Sequence, residues 1–274
     1  MNAPLPSPVG HSTNLVGVPS GLLASAAFNA HPLPLHISGV RETNPALFRM
    51  LGDASNAEEA REAFQKYMAA VFGVDEVDEP GGRRERNGQR RFRSSYRRLL
   101  QGWGFDANNP EGAVLKGWVE SRFGLLPTFH KAPLGRYPSE AWMTYVEEKM
   151  SARFHNNSIQ LQLDLLYEYC QWMLARYCFP NRRHLTLYRG VNDLAEHHVV
   201  SALSKREAIV RQNNLISFTD DRSTADQFGD TILEVQVPLV KILFCNGLLP
   251  GPVLKGEGEY LVIGGDYQVQ MSYY

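Results

Sequence analysis

Residues 184–190 read HLTLYRG, and the chain changes character there. From this point short runs rich in β-branched and aromatic residues follow one another: NNLISFTD (213–220), TILEVQVP (231–238), KILFC (241–245), EYLVIGG (259–265) and YQVQMSYY (267–274). Such runs, separated by Gly, Pro, Asn and Asp, read as strands. A single short helix, RSTADQFG (222–229), interrupts them.

Upstream of residue 184 the period is helical. The stretch from 158 to 179, SIQLQLDLLYEYCQWMLARYCF, is the strongest helix signal. Leu163, Leu166, Tyr167, Cys170, Met173, Leu174 and Tyr177 form its apolar stripe, and Pro180 stops it. SEAWMTYVEEKMSARF (139–154) opens on Ser139, a capping residue type. Ser55 followed by Glu58 fits a capping box, and Ala60, Phe64, Tyr67, Met68 and Val71 recur behind it at helical spacing. NLVGVPSGLLASAAFN (14–29) is apolar enough to pack on something larger. The reading is an α+β protein in three parts: a flexible arm at 1–13, a mainly helical region at 14–180, and a β-rich core at 181–274.

Bulk properties narrow the function. The 274 residues are 43% hydrophobic and 21% charged, and the net charge is -1. That balance gives no global reason to expect nucleic acid or an anionic membrane as partner. No apolar run reaches the ~18 residues of a membrane span. The N-terminus lacks the basic segment and apolar core of a signal peptide. Cys170, Cys178 and Cys245 lack metal-ligand spacing and read as reduced core thiols in a cytoplasmic protein. His197 and His198 are adjacent and therefore diverge, so no metal site is expected.

Three features of the last third recur in order. Arg189 ends a strand before Gly190. Ser217 and Thr219 lie where a strand turns into the short helix. Glu257 and Glu259 open a strand. Singly each has an ordinary explanation: a surface turn for Arg-Gly, a helix cap for Ser-x-Thr, a polar edge for Glu-x-Glu. In a strand, residues two apart share a face, so the two carboxylates would stand ~7 Å apart and repel.

The set, in this order, resembles the mono-ADP-ribosyltransferases of the Arg-Ser-Glu class. LYRG is similar to their first motif, ISFTDDRSTADQF to their serine motif with its helix, and EGEYLVIGGDYQV to their Glu-x-Glu motif. Members often read Ser-Thr-Ser where this chain has Ser217, Phe218 and Thr219. Over nearly the whole chain, HSTNLVGVPSGLLASAAFNAHPLPLHISGVRETNPALFRML (11–51) and the middle helices included, the likeness is to the dinitrogenase reductase ADP-ribosyltransferases. It implies an ADP-ribosyltransferase fold of two packed, mainly antiparallel sheets with an N-terminal helical region. It also implies NAD as co-substrate, the nitrogenase iron protein as acceptor, and a PII-type nitrogen-signalling protein as activator.

The resemblance carries roles to matching positions. Glu259 is the expected catalytic glutamate, stabilising positive charge that develops on the ribose. Glu257 would orient an incoming guanidinium and assist loss of its proton. Arg189 supplies a cationic fork for phosphate or ribose, and Ser217 orients Glu259. Gly190 and Thr219 belong to the same NAD-binding motifs. Phe218 and Phe228 are candidates to stack on nicotinamide, with core packing the first reading for Phe228. The loop FCNGLLPGPVLKGEG (244–258) is expected to face the acceptor, with Leu248 and Leu249 as its contacts.

Eight arginines between Arg83 and Arg98 follow Asp75, Glu76, Asp78 and Glu79. Solvated pairing among these charges is the first reading, and a docking patch for a partner protein the second. Three other functions are weighed: glycoside hydrolysis, an ADP-ribosyltransferase with another acceptor, and a regulatory NAD-binding module without catalysis. Two carboxylates on one strand face make poor opposing partners for a glycosidic bond.

Overall fold

The computed structural model describes residues 10–11, 13–74, 95–151, 154, 157–192, 198–251, 253–254, 256 and 258–273. Residues 1–9 and 12 of the arm expected at 1–13, the acidic run, the arginines from Arg83 to Arg93, His197 and Glu257 lie outside the described residues.

Among the described residues, ten α-helices precede or punctuate eight strands. α1 (Ser20–Leu23), α2 (Ala26–Ala30), α3 (Val40–Thr43) and α4 (Pro45–Asp53) wind the N-terminal segment. α5 (Ala57–Phe72), α6 (Tyr96–Phe105), α7 (Pro110–Phe123), α8 (Glu140–Lys149) and α9 (Asn157–Met173) form the helical layer. Between α7 and α8 lies a hairpin of β1 (Phe129–His130) and β2 (Ala132–Pro133). Then come β3 (His184–Val191), β4 (His198–Ala202), β5 (Glu207–Thr219), α10 (Arg222–Asp226), β6 (Thr231–Pro238), β7 (Ile242–Cys245) and β8 (Glu259–Tyr273).

Side chains at the helix starts explain where the helices begin. Ser139 accepts from Trp142 N as the sequence predicts, although α8 ends at Lys149 rather than continuing to residue 154. At α5 the cap falls one residue later than expected. Asn56, still extended, accepts from Glu59 N at 2.9 Å, and the Glu59 carboxylate accepts from Ser55 N at 2.8 Å. Val71, placed in the apolar stripe by its spacing, is exposed. α9 runs into one π turn, Leu174–Cys178, before Pro180.

The strands join in the order β4-β5-β3-β6-β8-β7, every ladder is antiparallel, and β5 also pairs with β8. This is the expected α+β architecture. These strands form a single six-stranded sheet, in which β3 pairs along the length of β6 and with β5 at Tyr188 opposite Thr219. The runs read separately as 259–265 and 267–274 are one 15-residue strand, because Gly264 and Gly265 continue the ladder opposite a bulge at residues 212–215 of β5.

Helices and sheet share one core, which runs from Val16 through α5, α6, α7 and α9 to Met271. α9 is buried nearly all round, and its two buried acids are matched. Asp164 accepts from Trp118 Nε1 at 2.7 Å and from Arg122 Nε and Nη2 at 2.7 and 2.9 Å. Glu168 accepts from Ile37 N at 2.7 Å and Arg41 Nε at 2.6 Å, which fastens the N-terminal segment to α9.

Candidate active site

Strand β3 carries Arg189, and the ladder with β6 fixes it opposite Leu233. Its Nη1 donates to the backbone oxygen of Ser217 on β5 at 2.9 Å. Ser217 Oγ donates to Glu259 Oε1 at the start of β8 at 2.7 Å, and Gly256 N lies 3.3 Å from Glu259 Oε2. Three strands thus bring Arg189, Ser217 and Glu259 into one hydrogen-bonded chain. The surface-turn explanation of Arg189 and the cap explanation of Ser217 both fail. The cap of α10 is Asp221, which accepts from Ser223 N at 2.9 Å.

A fourth member comes from the helical layer. Trp103 Nε1, on α6, donates to Ser217 Oγ at 2.9 Å. Nothing in the local sequence signals this contact, because Trp103 and Ser217 are 114 positions apart.

Arg189, Ser217 and Trp103 line a cavity of about 540 Å³, within the ~300–1,000 Å³ of small-molecule sites. The stretch from Leu125 to Phe129 and the β1–β2 hairpin wall it on one side. Asn213 and Asn214, at the β5 bulge, sew that wall to the sheet. Asn213 accepts from Thr128 N at 3.0 Å and donates to Phe129 O at 2.8 Å; Asn214 donates to Lys116 O and Leu125 O at 2.9 and 3.0 Å. The doubled asparagine in an otherwise β-rich run is the signal that could have found this bulge.

Among the described residues, three buried polar atoms on this cavity's residues make no hydrogen bond: Arg189 Nε, Gln212 Nε2 and Asn214 Oδ1. Buried polar atoms are nearly always paired, and leaving one unpaired costs ~1–3 kcal/mol. Enclosure pushes the Arg189 guanidinium's pKa down from its usual value, yet arginine stays charged at neutral pH. Lys116, buried in the wall, is pushed down to about 8 by desolvation; its Nζ donates to Asn108 Oδ1 at 2.9 Å and Phe129 O at 3.1 Å.

A profile of the family described as Dinitrogenase reductase ADP-ribosyltransferase (DRAT) matches residues 13–271. The chain belongs to the dinitrogenase reductase ADP-ribosyltransferase family. It is similar to the NAD(+)--dinitrogen-reductase ADP-D-ribosyltransferase of Rhodospirillum rubrum, with 59% identity over 97% of this chain and 96% of that protein. No solved structure matches it. Among the described residues, no helix is long and apolar enough to cross a membrane.

Other residues expected at a family site have different surroundings. Phe218 is buried in the core with its ring 6.3 Å from that of Tyr267. Phe228 reverses its first reading: it is 68% exposed and outside the core. Thr219 Oγ1 accepts from Asp221 N at 3.2 Å and shapes the turn. Gly190 lies beneath α10, where any Cβ would collide with Ala225 O.

The loop before Glu259 is also different from expectation. Leu248, Leu249, Val253 and Leu254 are all buried, so the leucines expected to face an acceptor are core residues. Asn246 organises the loop, donating to Gly256 O at 2.7 Å and Leu254 O at 3.3 Å and accepting from Leu254 N at 3.2 Å. The pairing of β8 begins at Glu259, and Gly258 has φ +64, a left-handed conformation. The strand alternation that would put Glu257 and Glu259 on one face therefore starts only at Glu259.

Proposed function

We propose that this chain transfers ADP-ribose from NAD to an arginine of dinitrogenase reductase, releasing nicotinamide and reversibly inactivating nitrogenase. The observation that carries the reading is the Arg189–Ser217–Glu259 hydrogen-bonded chain, of which Arg189 and Ser217 line the cavity, in a member of this family.

The proposed chemistry follows from the groups. The bond between nicotinamide and C1′ of the ribose breaks, and the electron pair leaves with neutral nicotinamide, so positive charge develops on the sugar. Glu259, oriented by Ser217, supplies the fixed opposing charge. An acceptor guanidinium nitrogen bonds to C1′ and gives up a proton; Glu257 is the proposed base and orienting group. An arginine nitrogen is a poor nucleophile while its proton stays, because its pKa exceeds ~12. The unpaired Nε of Arg189 suits a phosphate or ribose oxygen. Gln212 and Asn214 line the same cavity. A PII-type activator and a cytoplasmic location complete the proposal, both on the family likeness.

The test is mass spectrometry of the iron protein after incubation with NAD and this enzyme. One ADP-ribosyl group on an arginine is expected. An unmodified iron protein with NAD consumed would point to another acceptor, and intact NAD in every mixture to a module without catalysis. Glu257→Gln should lose transfer while keeping some NAD hydrolysis, and Glu259→Gln should lose both. Equal loss in the two variants would refute this division of roles.

A further inference from the structure

Ser217 has a single hydroxyl proton and two partners. An indole N–H only donates, so Ser217 Oγ must accept from Trp103 Nε1 at 2.9 Å. Its own proton is then directed to Glu259 Oε1 at 2.7 Å. We infer that Trp103 is a positioning residue of the transfer reaction: its indole N–H anchors Ser217 Oγ, leaving the serine proton for Glu259, and so holds the carboxylate in its reactive orientation. The inference rests on the proposed catalytic role of Glu259.

The rest of α6 makes this donor rigid. Ser95 caps the helix, Leu99 and Leu100 are fully buried, and Asn109 Nδ2 donates to Gly102 O at 2.8 Å. Trp103 itself is 4% exposed, so the indole is in place before any ligand arrives. Arg97, less than two turns earlier on the same helix, donates from Nη2 to Pro250 O at 3.1 Å. One helix thus grips the two backbone segments that flank the carboxylate: β5 through Ser217 and the loop entering β8 through Pro250. A buried tryptophan is ordinarily packing alone. What separates the two roles here is the N–H, not the ring.

The decisive experiment is a double-mutant cycle on the full-length enzyme, reading nicotinamide release at saturating NAD. Trp103→Phe is expected to lower kcat about tenfold while KM for NAD moves less than about threefold. In a Ser217→Ala background the same substitution should change kcat less than about twofold, because its effect passes through the serine. Equal losses in both backgrounds would mean packing only, and no loss in either would likewise overturn the inference. Should Trp103→Phe fold poorly, benzothienylalanine at position 103 keeps the bicyclic shape without the N–H and must reproduce the loss. Glu259→Gln separates the two levels. If that variant stays active, the role of Glu259 fails. If it is inactive and Trp103→Phe is uncoupled from Ser217, only the role of Trp103 fails.

Discussion

Ser217 and Glu259 are hydrogen-bonded across neighbouring strands without standing opposite each other. In the β5–β8 ladder Thr219 faces Glu259 and Ser217 faces Leu261, yet Ser217 Oγ reaches Glu259 Oε1 at 2.7 Å. Residues two apart on a strand share a face, so the contact is the diagonal one that cross-strand geometry allows. The ladder register therefore sets the site. A slip of one residue would turn Glu259 to the other face and separate the pair.

Removing that contact should lower the rate without unfolding the protein. A hydrogen bond to a charged group contributes ~1.5–3 kcal/mol, which corresponds to roughly 10- to 100-fold in rate. Ser217→Ala is expected to lower kcat for nicotinamide release by that range with little change in Tm. A kcat within about twofold of the parent enzyme would deny Ser217 any orienting role.

Leu249 lies in a segment whose composition reads as an exposed loop, yet it is 2% exposed. Its neighbour Leu248 has its backbone oxygen held by Tyr169 Oη at 2.7 Å. Truncating a buried leucine costs ~2–5 kcal/mol. Leu249→Ala should lower the midpoint of denaturant unfolding accordingly, while KM for the protein acceptor, measured on the folded fraction, stays unchanged. A raised acceptor KM at undiminished stability would return this residue to the docking surface.

Phe228 presents the opposite case, an aromatic ring 68% exposed beside the helix that follows the serine motif. Exposed positions away from structural features change stability by only about 0.5 kcal/mol. An aromatic contact contributes ~0.5–1.5 kcal/mol beyond its buried area. Phe228→Ala should therefore leave Tm in place and raise KM for NAD by roughly 2- to 10-fold. Steady-state kinetics with NAD varied is the check, and an unchanged KM removes Phe228 from the nicotinamide site.

Strands of the last third were legible because β-branched and aromatic runs between turn residues have few other uses. The order Arg189, Ser217, Glu259 was legible as motifs. Their joining was not, since it depends on the registers of β3, β5 and β8. Trp103 was invisible because its partner lies 114 positions away. α7 shows no apolar stripe, being buried on several sides from Gly112 to Val119, and β4 is exposed at every position. The cap of α5 was misplaced by one residue because Ser55 and Asn56 are both capping types and only backbone geometry separates them. Leu248 and Leu249 show the same limit: turn residues announce a loop but not which side chains turn inward.

Lys241 gives a prediction in pH. Its amine is fully buried, donates to Gly264 O at 3.0 Å, and lies 5.5 and 5.0 Å from the ring centres of Phe28 and Tyr267. Desolvation pushes its pKa down to about 7, against an unfolded value near ~10.4. Below the folded value both states carry the proton, and the full penalty of a buried charge weighs on the fold. Between the two values the unfolded chain binds more protons, so stability rises with pH, by at most ~1.4 kcal/mol per unit. Lys116, pushed down to about 8, adds a second rise in the upper part of the window. Lys241→Met should remove the first contribution and keep the second. Denaturant unfolding at pH 7, 8 and 9 should therefore show the parent protein gaining on the variant at each step. Parallel pH dependences in the two proteins would mean that Lys241 is already neutral, or remains charged, throughout this range.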